Sequence, residues 1–472
     1  MMELPNCFLA YGLANGLFLL FLRFEIRPLV WIKLMMFSWV DKADGRENIS
    51  INYEVIMEEN KSVYHDPSEY VRNLQQLLVS DKKRIGFLFG AGTSLVKNVD
   101  TKEAYVPAIQ KMTTDIVGSV ADESYKKAIE EIQKEIENEN KCFTIETLLS
   151  KLELKKQVVG CGKINGLDKD GFSELIIKIK KQIHSKVFVQ DKVDCTKLVH
   201  TAFAEWIQKA DRKTAVEVFT TNYDYLFEIA FEYNSLPYYD GFTGSYKPFF
   251  DGQSVDDLCF MPKQTKLWKI HGSLGWHYDE KIKKVVRTNP DETDILIYPS
   301  TLKYDQSRKQ PYTALGDRLT NFIKQDDTVL IVCGYSFGDE HINERINTAL
   351  SMNPLGHVYV LLYDIVWKED KKEYSFTEDS ALAKMAISNS KMSVFASRSA
   401  VIGGVYGKWK LKREPDKDDS INIDKFFDED AHSDTADEKG KELTQKWTGE
   451  GELTIPDFSK FVAFLKSMIV SN

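Results

Sequence analysis

The sequence predicts an α/β fold: a doubly wound, mainly parallel sheet with a helical subdomain inserted after the first strand–turn motif. Three observations carry this. Short apolar runs recur at 84–89, 215–220, 266–270, 294–298, 328–333, 357–362 and 392–396. Helix-period segments separate several of them, for example 310–324 and 340–350. Strands that are apolar throughout and alternate with helices belong to a parallel sheet covered on both faces. Between 104 and 210 no long strand pattern occurs; a charged face (KKAIEEIQKEIENENK) is followed by Leu148, Leu149 and Leu152 at helical spacing.

The elements follow in order. Residues 1–59 precede the alternation. Within them, residues 5–22 (PNCFLAYGLANGLFLLFL) carry no charge and approach the minimum length of a membrane-spanning helix. Three readings stay open: a start codon placed too early, with Met35, Met36 and Met57 as later starts; a signal anchor, the one case in which membrane contact is expected; or a buried apolar arm. Residues 60–103 open the α/β domain, with a helix over 64–79 (Tyr70, Val71, Leu74, Leu77, Leu78) and the first strand. The helical insert spans 104–210, and 211–411 completes the domain. Residues 412–445, rich in Asp, Glu, Lys and Ser, read as a mobile acidic loop. The final segment, 446–472, carries a helix over 455–469 whose Phe458, Phe461, Val462, Phe464 and Leu465 should dock on the core.

Composition narrows the function. Lys and Arg total 62 and Asp and Glu 71, a net charge of −9 over 472 residues, so direct nucleic-acid binding is not expected. With 43% hydrophobic residues the chain is too apolar for global disorder. Six cysteines form no Cys-x-x-Cys pair, which argues against a cysteine zinc site or a disulfide scaffold and fits a reducing cytoplasm. No His/Cys/Asp cluster has ligand spacing, so no metal is expected.

The chemistry sits after the strands. The first run ends in Gly90-Ala91-Gly92-Thr93-Ser94, others in Thr221-Asn222-Tyr223-Asp224, His271-Gly272-Ser273, Tyr298-Pro299-Ser300 and Gly334-Tyr335-Ser336-Phe337-Gly338-Asp339. Ligands of open parallel sheets bind outside the carboxyl ends of the strands, so these turns should converge. The Gly90–Ser94 turn suits a pyrophosphate at the start of the following helix, or is an ordinary tight turn. An amide such as Asn222 can orient a water or a ribose hydroxyl, and a carboxylate such as Asp224 can hold a carboxamide N–H; either residue can also cap the helix that follows. His271 suits general-base work or a structural role. His277 and His341 are weaker candidates, His341 falling in the first turn of a helix.

Taken together, GAGTS (90–94), FTTNYD (219–224) and KIHGS (269–273) resemble the NAD-binding core of sirtuins. With GYSFGDEHI (334–342) they look like the bacterial sirtuin-like domains of anti-phage defence systems, and the long helical insert resembles the sirtuin-like subunit that partners a HerA-type ATPase. The resemblance implies a Rossmann-like sheet, NAD as substrate without a metal, and an NAD glycohydrolase that depletes NAD during infection. A homo-oligomer, possible HerA-type partner and cytoplasmic location come with it. By motif position, Gly90, Ala91, Gly92, Thr93 and Ser94 would hold the pyrophosphate and Thr221 would belong to the NAD site. Asn222 would contact the nicotinamide ribose and position the attacking group. Asp224 would sit near the nicotinamide amide, His271 would be the base toward a ribose hydroxyl, and Gly334 and Ser336 would line the adenosine end. The zinc-binding cysteine pairs of sirtuin deacetylases have no counterpart here, and Leu95-Val96-Lys97-Asn98-Val99 replaces their Gly-Ile-Pro stretch. The alternatives are an NAD-dependent deacetylase and a non-catalytic NAD or ADP-ribose sensor.

Overall fold

A computed structural model of the chain describes residues 10–14, 17–26, 30–43, 46–57, 63–98, 101–210, 212–289, 306–369, 371–416, 419–430 and 447–469. The chain divides into two compact units, Met1–Val63 and Tyr64–Asn472.

In the first unit Ala10–Ala14, Leu17–Ile26, Val30–Ala43 and Arg46–Met57 form an antiparallel sheet in chain order. Strands thus stand where the anchor reading of 5–22 expects a helix. Among the described residues no helix is long and apolar enough to cross a membrane. Aromatic and β-branched residues such as Phe18, Phe21, Val30, Trp31 and Ile32 favour strands. Ala14 pairs with Leu17 and Ala43 with Arg46.

The second unit is built on a ten-stranded sheet. Six strands form its centre: β1 (Arg84–Phe89), β2 (Glu217–Thr220), β3 (Thr265–Lys269), β4 (Thr328–Cys333), β5 (His357–Leu361) and β6 (Met392–Phe395). They lie in the order 6-5-4-1-2-3, every neighbour parallel. This is the strand order of a Rossmann-like doubly wound sheet, whose switch point falls between β1 and β4. Ser399–Ile402 and Val405–Trp409 continue the sheet antiparallel beyond β6. The strand expected at 294–298, with its turn through Ser300, lies outside the described residues.

Side chains alternate across each strand and so divide the core in two. Ile85, Phe87 and Phe89 of β1 belong to one cluster; Leu88 belongs to the other, with Phe219, Trp268, Leu330 and Val332. Gly86 has no room for a side chain, since an added Cβ would lie 2.4 Å from the Phe322 ring. On the first face Phe89 meets Phe203, Phe227 and Phe458 at ring separations of 5.0–5.4 Å.

Ten helices matter here: α1 (Pro67–Val79), α2 (Ile109–Val120), α3 (Glu123–Asn138), α4 (Ile145–Val158), α5 (Lys169–Val187), α6 (Val199–Lys209), α7 (Leu226–Tyr233), α8 (Gln306–Lys324), α9 (Glu340–Met352) and α10 (Phe458–Lys466). Helices α2 to α5 pack on one another. Helix α6 packs on α7 and α10, and its Phe203 and Trp206 cover Phe87 of the sheet. Helix α10 docks as expected, with Phe458, Phe461, Val462, Phe464 and Leu465 all buried.

The expected acidic loop is partly ordered. Within 412–445, Phe427–Glu429 pairs antiparallel with Gly451–Leu453, and Ile421, Ile423, Phe426 and Phe427 are buried. This apolar run interrupts the charges and anchors the segment, Phe426 lying 5.2 Å from Phe464. Residues 431–446 lie outside the described set.

Candidate active site

One rung of the sheet organises the site. Cys333 pairs with Phe89, Phe89 with Thr220, and Thr220 with Lys269. Four of the five predicted turns leave the sheet just past this rung; the turn through Ser300 lies outside the described residues. Gly334 follows β4, Gly90 follows β1, and Asn222 and His271 each stand two residues beyond it on the adjacent strands β2 and β3.

The two glycine turns interlock at the switch point. The Gly90 N–H donates to Cys333 O (3.2 Å) and the Gly92 N–H to Gly334 O (2.8 Å). A Cβ at Gly90 or Gly92 would lie 2.6–2.7 Å from the Gly334–Tyr335 backbone. Gly334 has φ +67°, and a Cβ there would lie 2.7 Å from Thr93 N. Only glycine fits these positions. The expected helix start after Gly90 is instead a 3-10 turn, Ala91–Leu95, and the next α-helix begins at Ile109. Several of its amides are already used: besides Gly90 and Gly92, the Thr93 N–H donates to Gly90 O (3.0 Å). The physical reason is the tight β1–β4 packing, which satisfies the turn internally.

Asn222 is held by this turn. Its Nδ2 lies 3.1 Å from Gly90 O, 3.0 Å from Thr93 Oγ1 and 2.7 Å from Ser94 Oγ, all acceptors for the amide protons. That fixes the amide orientation and leaves Oδ1 as its other polar face. The Thr221 N–H donates to Phe89 O at 3.1 Å, extending the β1–β2 pairing. Ser94 Oγ donates to Asp224 Oδ2 at 2.6 Å, and Asp224 Oδ1 accepts the Leu226 N–H at 3.0 Å at the start of α7. Asp224, one residue before the Tyr225 N-cap, thus accepts the first N–H of α7 with one oxygen and locks Ser94 with the other, at 4% exposure. Gly90, Gly92, Thr93, Ser94, Asn222 and Asp224 form one connected set. Ala91 and Ser336 are exposed, and Ser336 Oγ accepts only a long bond from the Gly338 N–H (3.4 Å).

His271 meets a residue that sequence reasoning did not single out. Its Nε2 lies 3.1 Å from Asp339 Oδ2, at 17% and 31% side-chain exposure. Asp339 Oδ1 accepts the N–H groups of His341 and Ile342 and so caps α9. Burial raises the Asp339 carboxyl, but His271 and the His341 and Ile342 N–H groups together hold the group below its usual range. Asp339 stands within the quoted GYSFGDEHI motif; its N-cap position before Glu340 was the available signal. His341 lies in the first turn of α9, as expected, and His277 lies on the short strand Trp276–Asp279.

Two further residues support the loops. Lys269, 4% exposed, donates to Asp224 O and to Glu228 Oε1 (2.8 Å). Burial pushes the Glu228 carboxyl up, with Lys269 opposing. Tyr223 donates to Glu146 Oε1 at 2.7 Å, tying the Asn222 loop to α4 of the insert. No group of three or more His, Cys, Asp or Glu suited to a metal occurs among the described residues.

Compared with known families, residues 216–387 match the model of the SIR2-like domain. The match covers β2 to β5 with Asn222, His271 and Asp339, and supports a sirtuin-like domain with an NAD-related function. A search of curated proteins found no match to the chain.

Proposed function

We propose that this protein is an NAD glycohydrolase that cleaves NAD to nicotinamide and ADP-ribose in anti-phage defence. The observation that carries the reading is the locked Asn222 amide, which leaves the sheet at the same level as His271 on the neighbouring strand. Nicotinamide departs neutral, so little acid assistance is needed. The demand is to stabilise an oxocarbenium-like ribose and aim one water at it. Asn222 Oδ1 accepts a hydrogen bond from that water. As the water oxygen bonds to the ribose carbon, the carbon–nitrogen bond breaks, its electrons stay with nicotinamide, and the water proton passes to solvent. His271 accepts the hydrogen bond of a ribose hydroxyl, which raises electron density on the ring. The interlocked Gly90 and Gly334 turns offer backbone close enough for a dinucleotide to approach.

The test is NAD turnover by purified protein beside Asn222→Ala and His271→Ala. Each substitution lowers the rate on the order of 10²–10⁴-fold. Unchanged activity in both overturns the mechanism. The defence role rests on the resemblance of the motifs, and control by a homo-oligomer or HerA-type ATPase belongs to the same proposal. Cellular NAD during infection, with and without Asn222→Ala, tests the role, and pull-down with this protein tests the partner.

A further inference from the structure

We infer that Asp339 is a positioning residue for His271: its carboxylate holds the imidazole in the tautomer that places the proton on Nε2 and the lone pair on Nδ1. The inference rests on the proposed base role of His271.

The geometry is specific. A carboxylate is an acceptor, so the 3.1 Å contact from Nε2 to Asp339 Oδ2 is a donation by the ring. A neutral imidazole with its proton on Nε2 presents a basic nitrogen only at Nδ1. His271 follows β3 and Asp339 follows β4, and β1 and β2 lie between those strands. At about 4.8 Å per strand spacing the two strands run about 14 Å apart. The loops lean across the switch point to make the contact. Asp339 cannot swing away freely, because its other oxygen accepts the His341 N–H (2.9 Å) and the Ile342 N–H (3.3 Å) of α9. The Tyr335 hydroxyl donates to Asp339 O (3.2 Å) and steadies the same loop. One carboxylate therefore couples a helix start to the orientation of the ring.

The N-cap offers a clean test, since Asn and Ser cap helices about as well as Asp. Asp339→Asn and Asp339→Ser keep the cap and remove the charged acceptor. NAD turnover is measured for both, for His271→Ala and for the double variant His271→Ala/Asp339→Asn, with thermal unfolding of each. The expected result is a fall in kcat on the order of 10²-fold in both Asp339 variants, with KM little changed and the melting temperature near that of the parent. The double variant should be no slower than His271→Ala alone, because the two residues act as one unit. Full kcat in Asp339→Asn and Asp339→Ser while His271→Ala is inactive overturns this proposal alone. So does a loss that multiplies with that of His271→Ala. Full activity in His271→Ala overturns the base reading itself.

Discussion

Two polar clusters stand at opposite ends of β2. At the amino end of β2, Glu217 receives Arg318 through Nε (2.9 Å) and Nη2 (2.6 Å), and Trp268 Nε1 donates to it at 2.7 Å. The remaining Arg318 nitrogen donates to Val255 O and Asp257 O, and the side chain is 1% exposed. At the carboxyl end stand Asn222, His271 and Asp339, the latter two partly exposed. A buried ion pair persists only when its hydrogen-bonding capacity is met within the protein. The Arg318 cluster meets that condition and is sealed. The carboxyl-end cluster meets it on one side only: Asn222 spends its donors and keeps its carbonyl oxygen. The first arrangement is closed on itself; the second leaves polar groups unspent, as the proposed function requires.

This contrast can be broken by experiment. The largest expected effect is on chemistry: Asn222→Ala lowers NAD cleavage on the order of 10²–10⁴-fold, equal to about 3–5 kcal/mol of barrier, in a protein that still folds. Next, Arg318→Met leaves Glu217 buried and uncompensated, and chemical unfolding should show a loss of about 3–5 kcal/mol. Turnover per folded molecule should hold; if it collapses while stability stays, the two clusters have been assigned the wrong way round. Gly334→Ala forces a Cβ against Thr93 N at positive φ. It should cost about 1–3 kcal/mol of stability and slow turnover together, since it pushes apart the turn that holds Asn222.

His200 sharpens the comparison from another side. It is fully buried between Phe227 and Phe458, and among the described residues neither ring nitrogen has a partner. Burial pushes its pKa down from 6.5 to about 3. In that window the unfolded chain binds the proton and the folded one does not, so stability rises with pH there and is lost as pH falls from 6.5 toward 3. His200→Leu should remove this part of the acid sensitivity, read as melting temperature at pH 5 against pH 7.5. The smallest effect is expected from Tyr223→Phe, which removes one hydrogen bond to Glu146 and about 0.5–1.5 kcal/mol. A much larger loss of turnover than of stability would show that the insert helps set the Asn222 loop.

Much of this was readable in the chain. The bounds of β1 and β4 coincide with the apolar runs at 84–89 and 328–333, because strands buried on both faces leave an unbroken signature. Neither Asx residue is the N-cap of α7: Asp224 accepts the Leu226 N–H from the position before it, and Asn222 holds the Gly90 turn. The strands of 10–14, 17–26, 30–43 and 46–57 were not legible, because an uncharged apolar run such as 5–22 has no period that separates a strand from a helix. The His271–Asp339 and Tyr223–Glu146 contacts join residues 68 and 77 apart, beyond any local pattern.

By itself the sequence located the six central strands to within two residues and determined which turns carry glycine, amide and imidazole, because those follow from side-chain period and local backbone freedom. Only the tertiary structure decided the order 6-5-4-1-2-3. That order places Gly90 beside Gly334 and brings Asn222 to a turn 132 residues away. Neighbourhood across a sheet is settled by which faces bury together, a property of the assembled layers that no single segment contains.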